Sequence, residues 1–254
     1  MEENTLRICS QSDAGIRSGN EDAYSVSRIS HTSGMIVLLS VADGLGGHPA
    51  GEVASRLAVG TLERIVREQL TLITALEPET LKEILALAFR ETNRRVIISA
   101  AQEPEWQGMG TTLVAALISD ADYCIIGNIG DSRAYRVTRS MERLTRDHSQ
   151  VQELVDKGVL SAREAEHHPL KNIVTRIIGR EEDQADISSY RLGDARLLLC
   201  SDGLIDGISE EEILPIVTGC EFPAVCQTLV ERAIQRSRDN ITVIVAAWPD
   251  NRAL

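Results

Sequence analysis

Aromatic residues are scarce in this chain of 254 residues: two Trp, four Tyr and two Phe, together 3%. Base-stacking platforms for single-stranded nucleic acid are therefore not expected, and the core has to be built from Leu, Ile, Val and Ala. A basic excess is missing as well, since 26 Lys and Arg face 38 Asp and Glu for a formal net charge of -12. With no basic run to follow a phosphate backbone or an anionic lipid surface, neither nucleic acid nor membrane is an expected partner. No apolar stretch reaches the roughly 20 residues that cross a bilayer. Met1-Glu2-Glu3-Asn4 lacks the basic and apolar regions of a signal peptide, so a cytoplasmic setting is expected. Cys9, Cys124, Cys200, Cys220 and Cys226 form no C-x-x-C pair and are expected as reduced, mostly core thiols. Repeats, low-complexity tracts and linkers are also lacking, which favours one domain over residues 1–254.

What is present is a sequence of sharp changes in period. Residues 6–12 and 22–29 alternate as strands do, and Met35 to Ala42 form an unbroken apolar run of buried-strand length. That run stops at Asp43-Gly44-Leu45-Gly46-Gly47-His48-Pro49, a turn-rich loop. Helical spacing follows at Val53, Leu57, Ala58, Leu62, Ile65, Val66 and Leu70, and again from Leu81 through Ile84, Leu85, Ala88 and Phe89 to Val96 and Ile97. Strand patterns return at 111–118, 123–129 and 133–137, the first two joined by the polar turn 119–122. Residues 148–180 are polar and weakly helical and are read as a small flap subdomain. A buried strand at 196–200, two helical patterns and a strand at 241–247 complete the order.

Five aspartates stand at a strand end or beside a tight turn: Asp22, Asp43, Asp131, Asp202 and Asp239. Turn chemistry accounts for any one of them. Their repetition points further, because converging strand ends would gather the carboxylates into an oxygen-rich site without His-Cys ligand spacing. Such a site suits Mg²⁺ or Mn²⁺ better than zinc, and a pair of such ions can activate water and polarise a phosphoryl oxygen. Gly44-Leu45-Gly46-Gly47 is not a nucleotide phosphate loop, because the Gly-Lys-Ser/Thr ending is missing.

Six segments in order carry a resemblance. They are Ser12-Asp13-Ala14-Gly15-Ile16-Arg17 with Asn20-Glu21-Asp22-Ala23, Val41 to His48, Gly110-Thr111-Thr112, Asn128 to Arg133, Ser201-Asp202-Gly203-Leu204, and Asp239-Asn240-Ile241-Thr242-Val243. Together they make the chain resemble the metal-dependent, type-2C Ser/Thr protein phosphatases in their compact bacterial form, over essentially its whole length. The resemblance implies an α+β fold, a four-layer α-β-β-α sandwich of two mainly antiparallel sheets flanked by helix pairs. It implies a hydrolase for phosphoserine and phosphothreonine proteins, acting by direct attack of a hydroxide that bridges two metal ions. By the same resemblance Asp43 bridges two Mn²⁺ or Mg²⁺ ions, the Gly44 carbonyl binds one, and Asp202 and Asp239 bind the other. Asp22 acts near the pair through water, and Asp131 with Asp202 holds a third, weaker ion. The implied partners are a bacterial Ser/Thr kinase and its targets.

Arg17 matches the family's phosphate-binding arginine, although a surface ion pair is the plainer reading of the residue alone. His48 is a candidate proton donor to the leaving alkoxide. Relatives of the animal type place that histidine directly after Asp-Gly, where this chain has Leu45, so loop packing is the alternative. His148, His167 and His168 read as solvated flap residues, without the further ligands zinc needs. Ser237-Arg238 stands before Asp239 where relatives often have glycine. Two rival readings are a phosphatase dedicated to one regulatory protein and a non-catalytic phosphoprotein binder; intact Asp43, Asp202 and Asp239 argue against the second.

Overall fold

A strand covered on both faces reads as an unbroken apolar run, whereas one with a wet face alternates. In the protein, a computed structural model describing residues 5–45, 49–166 and 168–249, the strands are β1 (Arg7–Asp13), β2 (Asp22–His31), β3 (Gly34–Leu45), β4 (Gly110–Thr111), β5 (Leu113–Ser119), β6 (Tyr123–Ile129), β7 (Arg133–Val137), β8 (Met141–Arg143), β9 (Asp186–Arg191), β10 (Arg196–Cys200) and β11 (Ile241–Ala247). The helices are α1 (Pro49–Leu70), α2 (Pro78–Gln102), α3 (Gln150–Asp156), α4 (Ala162–Ala165), α5 (Asp202–Gly207), α6 (Glu210–Gly219) and α7 (Ala224–Ala233). One sheet runs β1-β11-β10-β7-β8 and the other β2-β3-β5-β6-β9, with β4 paired to β3. All of these pairings are antiparallel.

The apolar run of β3 divides by parity. Val37, Leu39 and Val41 meet Leu197, Leu199, Ile244 and Ala246 of the other sheet in the central core. Ile36 and Leu38 face the opposite way, onto Leu62, Leu85 and Phe89 of α1 and α2. Beyond the five-stranded sheet, Leu198, Val243 and Val245 pack on Ile213, Val217 and Leu229 of α6 and α7. Helices, sheet, sheet, helices: the α+β four-layer sandwich is the observed arrangement. Each fully buried Leu, Ile or Val contributes about 1.5–3 kcal/mol, and the aliphatic core needs few rings.

Some elements differ from the sequence reading. The strand read at 111–118 is broken at Thr112 into β4 and β5, because Thr112 turns to bond Asp43. Three helices, not two, stand between β10 and β11. Strands β8 and β9 carry no buried residue and so leave no hydrophobic period to read. Within 148–180, α3 and α4 begin at Ser149 and Ser161, whose hydroxyls accept from Gln152 N and Glu164 N.

Two expectations are overturned. Cys9 and Cys226 are joined as a disulfide, with Cα atoms 6.0 Å apart across 217 positions of sequence, because β1 packs on α7; Cys124, Cys200 and Cys220 are free thiols. Burial pushes the Cys124 and Cys200 thiols up to about 12. His148 is not solvated: only 2% of it is exposed, covered from β9 by Asp186. His168 is half-buried, and His167 lies outside the described residues. Among the described residues no helix is long and apolar enough to cross a membrane.

Candidate active site

Register brings the first two aspartates together. β2 pairs with β3 so that Asp22 lies opposite Asp43. The backbone of Asp43 is fixed from the Gly110-Thr111-Thr112 segment: its N–H donates to Thr112 Oγ1 at 3.0 Å, and its carbonyl accepts from Thr112 N at 2.9 Å and Thr111 Oγ1 at 2.8 Å. Thr112 Oγ1 also shares a 2.7 Å bond with Ser132 Oγ, which ties Asp43 to the turn holding Asp131. Gly44 follows where β3 meets the first turn of α1. A Cβ there would strike the Gly51 carbonyl and come within 2.8 Å of Glu21 O, so only glycine allows the approach.

The other sheet supplies the remaining carboxylates. Asp202 opens α5 directly after β10, and Asp239 precedes β11. Ser201 joins the two sheets, its Oγ donating to Asp22 Oδ2 at 2.8 Å and accepting from Thr242 N at 3.0 Å. Asn240 fastens the loop that carries Arg17: its Nδ2 donates to Ala14 O and Gly19 O, and its Oδ1 accepts from Glu21 N, at 2.8–3.0 Å. Arg17 donates from Nε to Arg238 O at 2.9 Å and from Nη2 to Asp239 Oδ2 at 2.8 Å.

A cavity of about 230 Å³ opens between these elements, lined by Arg17, Asp43, Gly44, Asp131, Asp202 and Asp239 together with Glu21, Asn172, Val174 and Asn240. The structure thus brings together all the expected residues but two. Asp22 is buried and does not line the cavity, and His48 lies outside the described residues. Ser201, Thr112 and Asn240 had been quoted only as motif members, and their coupling depends on contacts that no spacing displays.

Burial dominates the electrostatics. It raises Asp22 to about 7, with Asp202 and Asp239 adding repulsion against hydrogen bonds from Thr242 and Ser201. Burial, then Asp206 and Asp239, raise Asp202 to about 6. Asp43 is held well above the carboxylate range by burial and by Asp22, Asp202, Asp131 and Asp239, and Asp131 by burial, Asp202 and Asp147. Asp22 Oδ1 and Asp202 Oδ1 are buried without a hydrogen-bond partner. Buried anionic oxygens need a counter-charge, and this donor set, all oxygen, fits hard divalent cations. Among the described residues no three His, Cys, Asp or Glu side chains close on one point as a complete cage. A cation that keeps several of its waters does not require one.

The sequence model of the family described as Protein phosphatase 2C matches residues 14–240. The chain belongs to the protein phosphatase 2C family. Among phosphatase 2C relatives, serine/threonine phosphatase stp of Listeria innocua is 38% identical over 242 residues, 91% of this chain and 90% of that one. Serine/threonine protein phosphatase PstP of Mycobacterium tuberculosis is 36% identical over 95% of this chain and 45% of its own length. The crystal structure of Stp1 from Staphylococcus aureus superposes with a TM-score of 0.86 at 33% identity, covering 97% of each chain. The catalytic domain of PstP, solved with two manganese ions, gives a TM-score of 0.81 at 33% identity over 97% of this chain and 100% of that one.

Proposed function

We propose that the chain is a metal-dependent protein serine/threonine phosphatase whose chemistry takes place in the cavity between the two sheet ends. The observation that carries this reading is the convergence of Asp43, Asp131, Asp202, Asp239 and Arg17 on one cavity, backed by buried carboxylate oxygens that have no partner. When bound, divalent cations supply an activated water and neutralise charge on the phosphoryl oxygens. Asp43, the Gly44 carbonyl, Asp202 and Asp239 would hold the core pair, and Asp131 with Asp202 a third, weaker ion. Asp22, bonded by Ser201, would act near them through water.

The chain's own part in the reaction is binding and positioning. Arg17 sits at the rim, half-exposed at 52%, where its planar fork can hold two oxygens of a tetrahedral phosphate. Hydrolysis adds water oxygen to phosphorus and breaks the bond from phosphorus to the serine or threonine oxygen, which takes up a proton. Asn172 and Val174 line the same cavity as Arg17, which supports a substrate-facing role for the segment read as a flap within a single catalytic domain. A Ser/Thr kinase and its targets are the partners this reading favours.

The test uses purified protein and a phosphoserine peptide with Mn²⁺ or with excess chelator. Release of phosphate should require the metal, and Asp239→Ala should lower kcat at least a hundred-fold. Full activity in chelator, or undiminished turnover of the variant, would overturn the metal mechanism; a wild-type protein that binds the peptide without cleaving it would favour the binding-module reading.

A further inference from the structure

Asp131 occupies a turn whose shape is set from outside it. Gly130, directly before it, has φ +106°, and a Cβ there would stand 2.6 Å from the Thr112 side chain. Both backbone polar groups of Gly130 bond one residue from a different part of the chain, the Gly130 carbonyl also accepting from Asn128 Nδ2 at 3.4 Å. His148 N donates to Gly130 O at 2.8 Å, and Gly130 N donates to His148 Nδ1 at 3.2 Å. The carbonyl of His148 accepts from Thr175 N at 2.7 Å. Alongside it Ser149 bridges Val174, and Gln150 N donates to Ile173 O at 2.9 Å. His148 therefore joins the Gly130-Asp131 turn to the segment 172–176, whose Asn172 and Val174 line the catalytic cavity.

The hydrogen bonds also fix the tautomer. A backbone N–H can only donate, so His148 Nδ1 carries the lone pair and the ring proton is on Nε2. There it donates to Asp186 Oδ2 of β9 at 3.1 Å. Arg176 Nη1, 3.4 Å from the same nitrogen, has its acceptor instead in Asp186 Oδ1 at 3.3 Å. A doubly protonated ring would set Nδ1–H against Gly130 N–H, donor against donor. The other charged groups acting on the ring are Arg146 and Arg176, and burial, ahead of the Asp186 bond, lowers its pKa. The side chain itself is fully buried.

We propose that His148, as its Nε2–H tautomer, is a positioning residue that locks Asp131 and the 172–176 wall into one unit, fixing where the outer carboxylate stands relative to bound substrate. This rests on the phosphatase reading above. His148 touches neither substrate nor reacting atoms, so its effect runs through Asp131. Two variants separate the bond from simple packing. His148→Asn retains an oxygen able to accept from Gly130 N, while His148→Leu fills the space with no acceptor and leaves that buried N–H unpaired.

The experiment measures phosphoserine-peptide hydrolysis at graded Mn²⁺, with thermal unfolding on the same samples. His148→Leu should lower kcat about ten-fold, raise the Mn²⁺ concentration needed for half-maximal rate and leave KM within two-fold; His148→Asn should recover most of both losses. Equal kinetics in the two folded variants, or wild-type kinetics in His148→Leu, would overturn the proposal. Should neither variant fold, nitrogen NMR of ¹⁵N-histidine wild-type protein with Mg²⁺ decides. The proposal requires a buried ring with Nδ1 unprotonated at pH 7.5, and a proton on Nδ1 would overturn it. Wild-type protein that fails to hydrolyse the peptide with metal present would instead count against the phosphatase reading itself.

Discussion

Asp22 at about 7 and Asp202 at about 6 hold protons more tightly in the folded protein than in the unfolded chain, where carboxylates release them near 4. Between those values the folded form binds the extra protons, so stability falls as pH rises. In chelator, the melting temperature should drop from pH 5 to pH 8, most steeply below about 6, where both groups still hold their protons in the folded form. With excess Mn²⁺ the drop should vanish, since a cation takes the place of the protons; an identical slope with and without metal would show that these carboxylates do not face the ion. Arg17 is a separate case. It donates to Asp239 Oδ2, the same carboxylate a cation would claim. Arg17→Ala should cost about 1.5–3 kcal/mol of substrate binding, roughly ten- to a hundred-fold in kcat/KM, while Mn²⁺ affinity measured by calorimetry stays level or rises. Weaker Mn²⁺ binding would place Arg17 in the support of Asp239 rather than on phosphate.

At the scale of elements, the loop at 14–21 is attached to the start of β11 by the three hydrogen bonds of the Asn240 side chain. Asn240→Ala removes all three while leaving the backbone N–H of residue 240 on Asp239 Oδ1. Urea unfolding should show a loss of about 2–4 kcal/mol, and KM for a phosphopeptide should rise more than kcat falls, since the loop carries Arg17. A change confined to kcat would contradict that division. The same elements show what the sequence made legible. β3, α1 and α2 were readable because each buries a long, regular set of apolar side chains, and the aspartates because each motif is local. β9 is not readable, having no buried residue, and the burial of His148 is not legible because its ring partners are Gly130 and, 38 positions away, Asp186 on that strand.

For the whole molecule, the covalent link between β1 and α7 closes a loop of most of the chain. Sequence spacing could not suggest the pair, since only packing of the five-stranded sheet on its helices brings Cys9 and Cys226 together. Cross-links over long loops restrict the unfolded ensemble, with a typical effect of about 2–4 kcal/mol. Cys226→Ser should lose about that much in denaturant unfolding, and reductant should lower wild type to the same level. Indifference of wild type to reductant would mean that the two thiols stay unjoined in solution.

The order of the five-stranded sheet sets a timetable for synthesis. β11, the last element in chain order among the described residues, lies between β1 and β10, and Asp239 and Asn240 directly precede it. A chain made only as far as β9 holds every strand of the β2-β3-β5-β6-β9 sheet, yet it has neither β11 to pair with β1 nor Asp239 to join the other carboxylates. A partly made chain therefore lacks part of the metal site, and the carboxylates come together only once β11 is in place between β1 and β10.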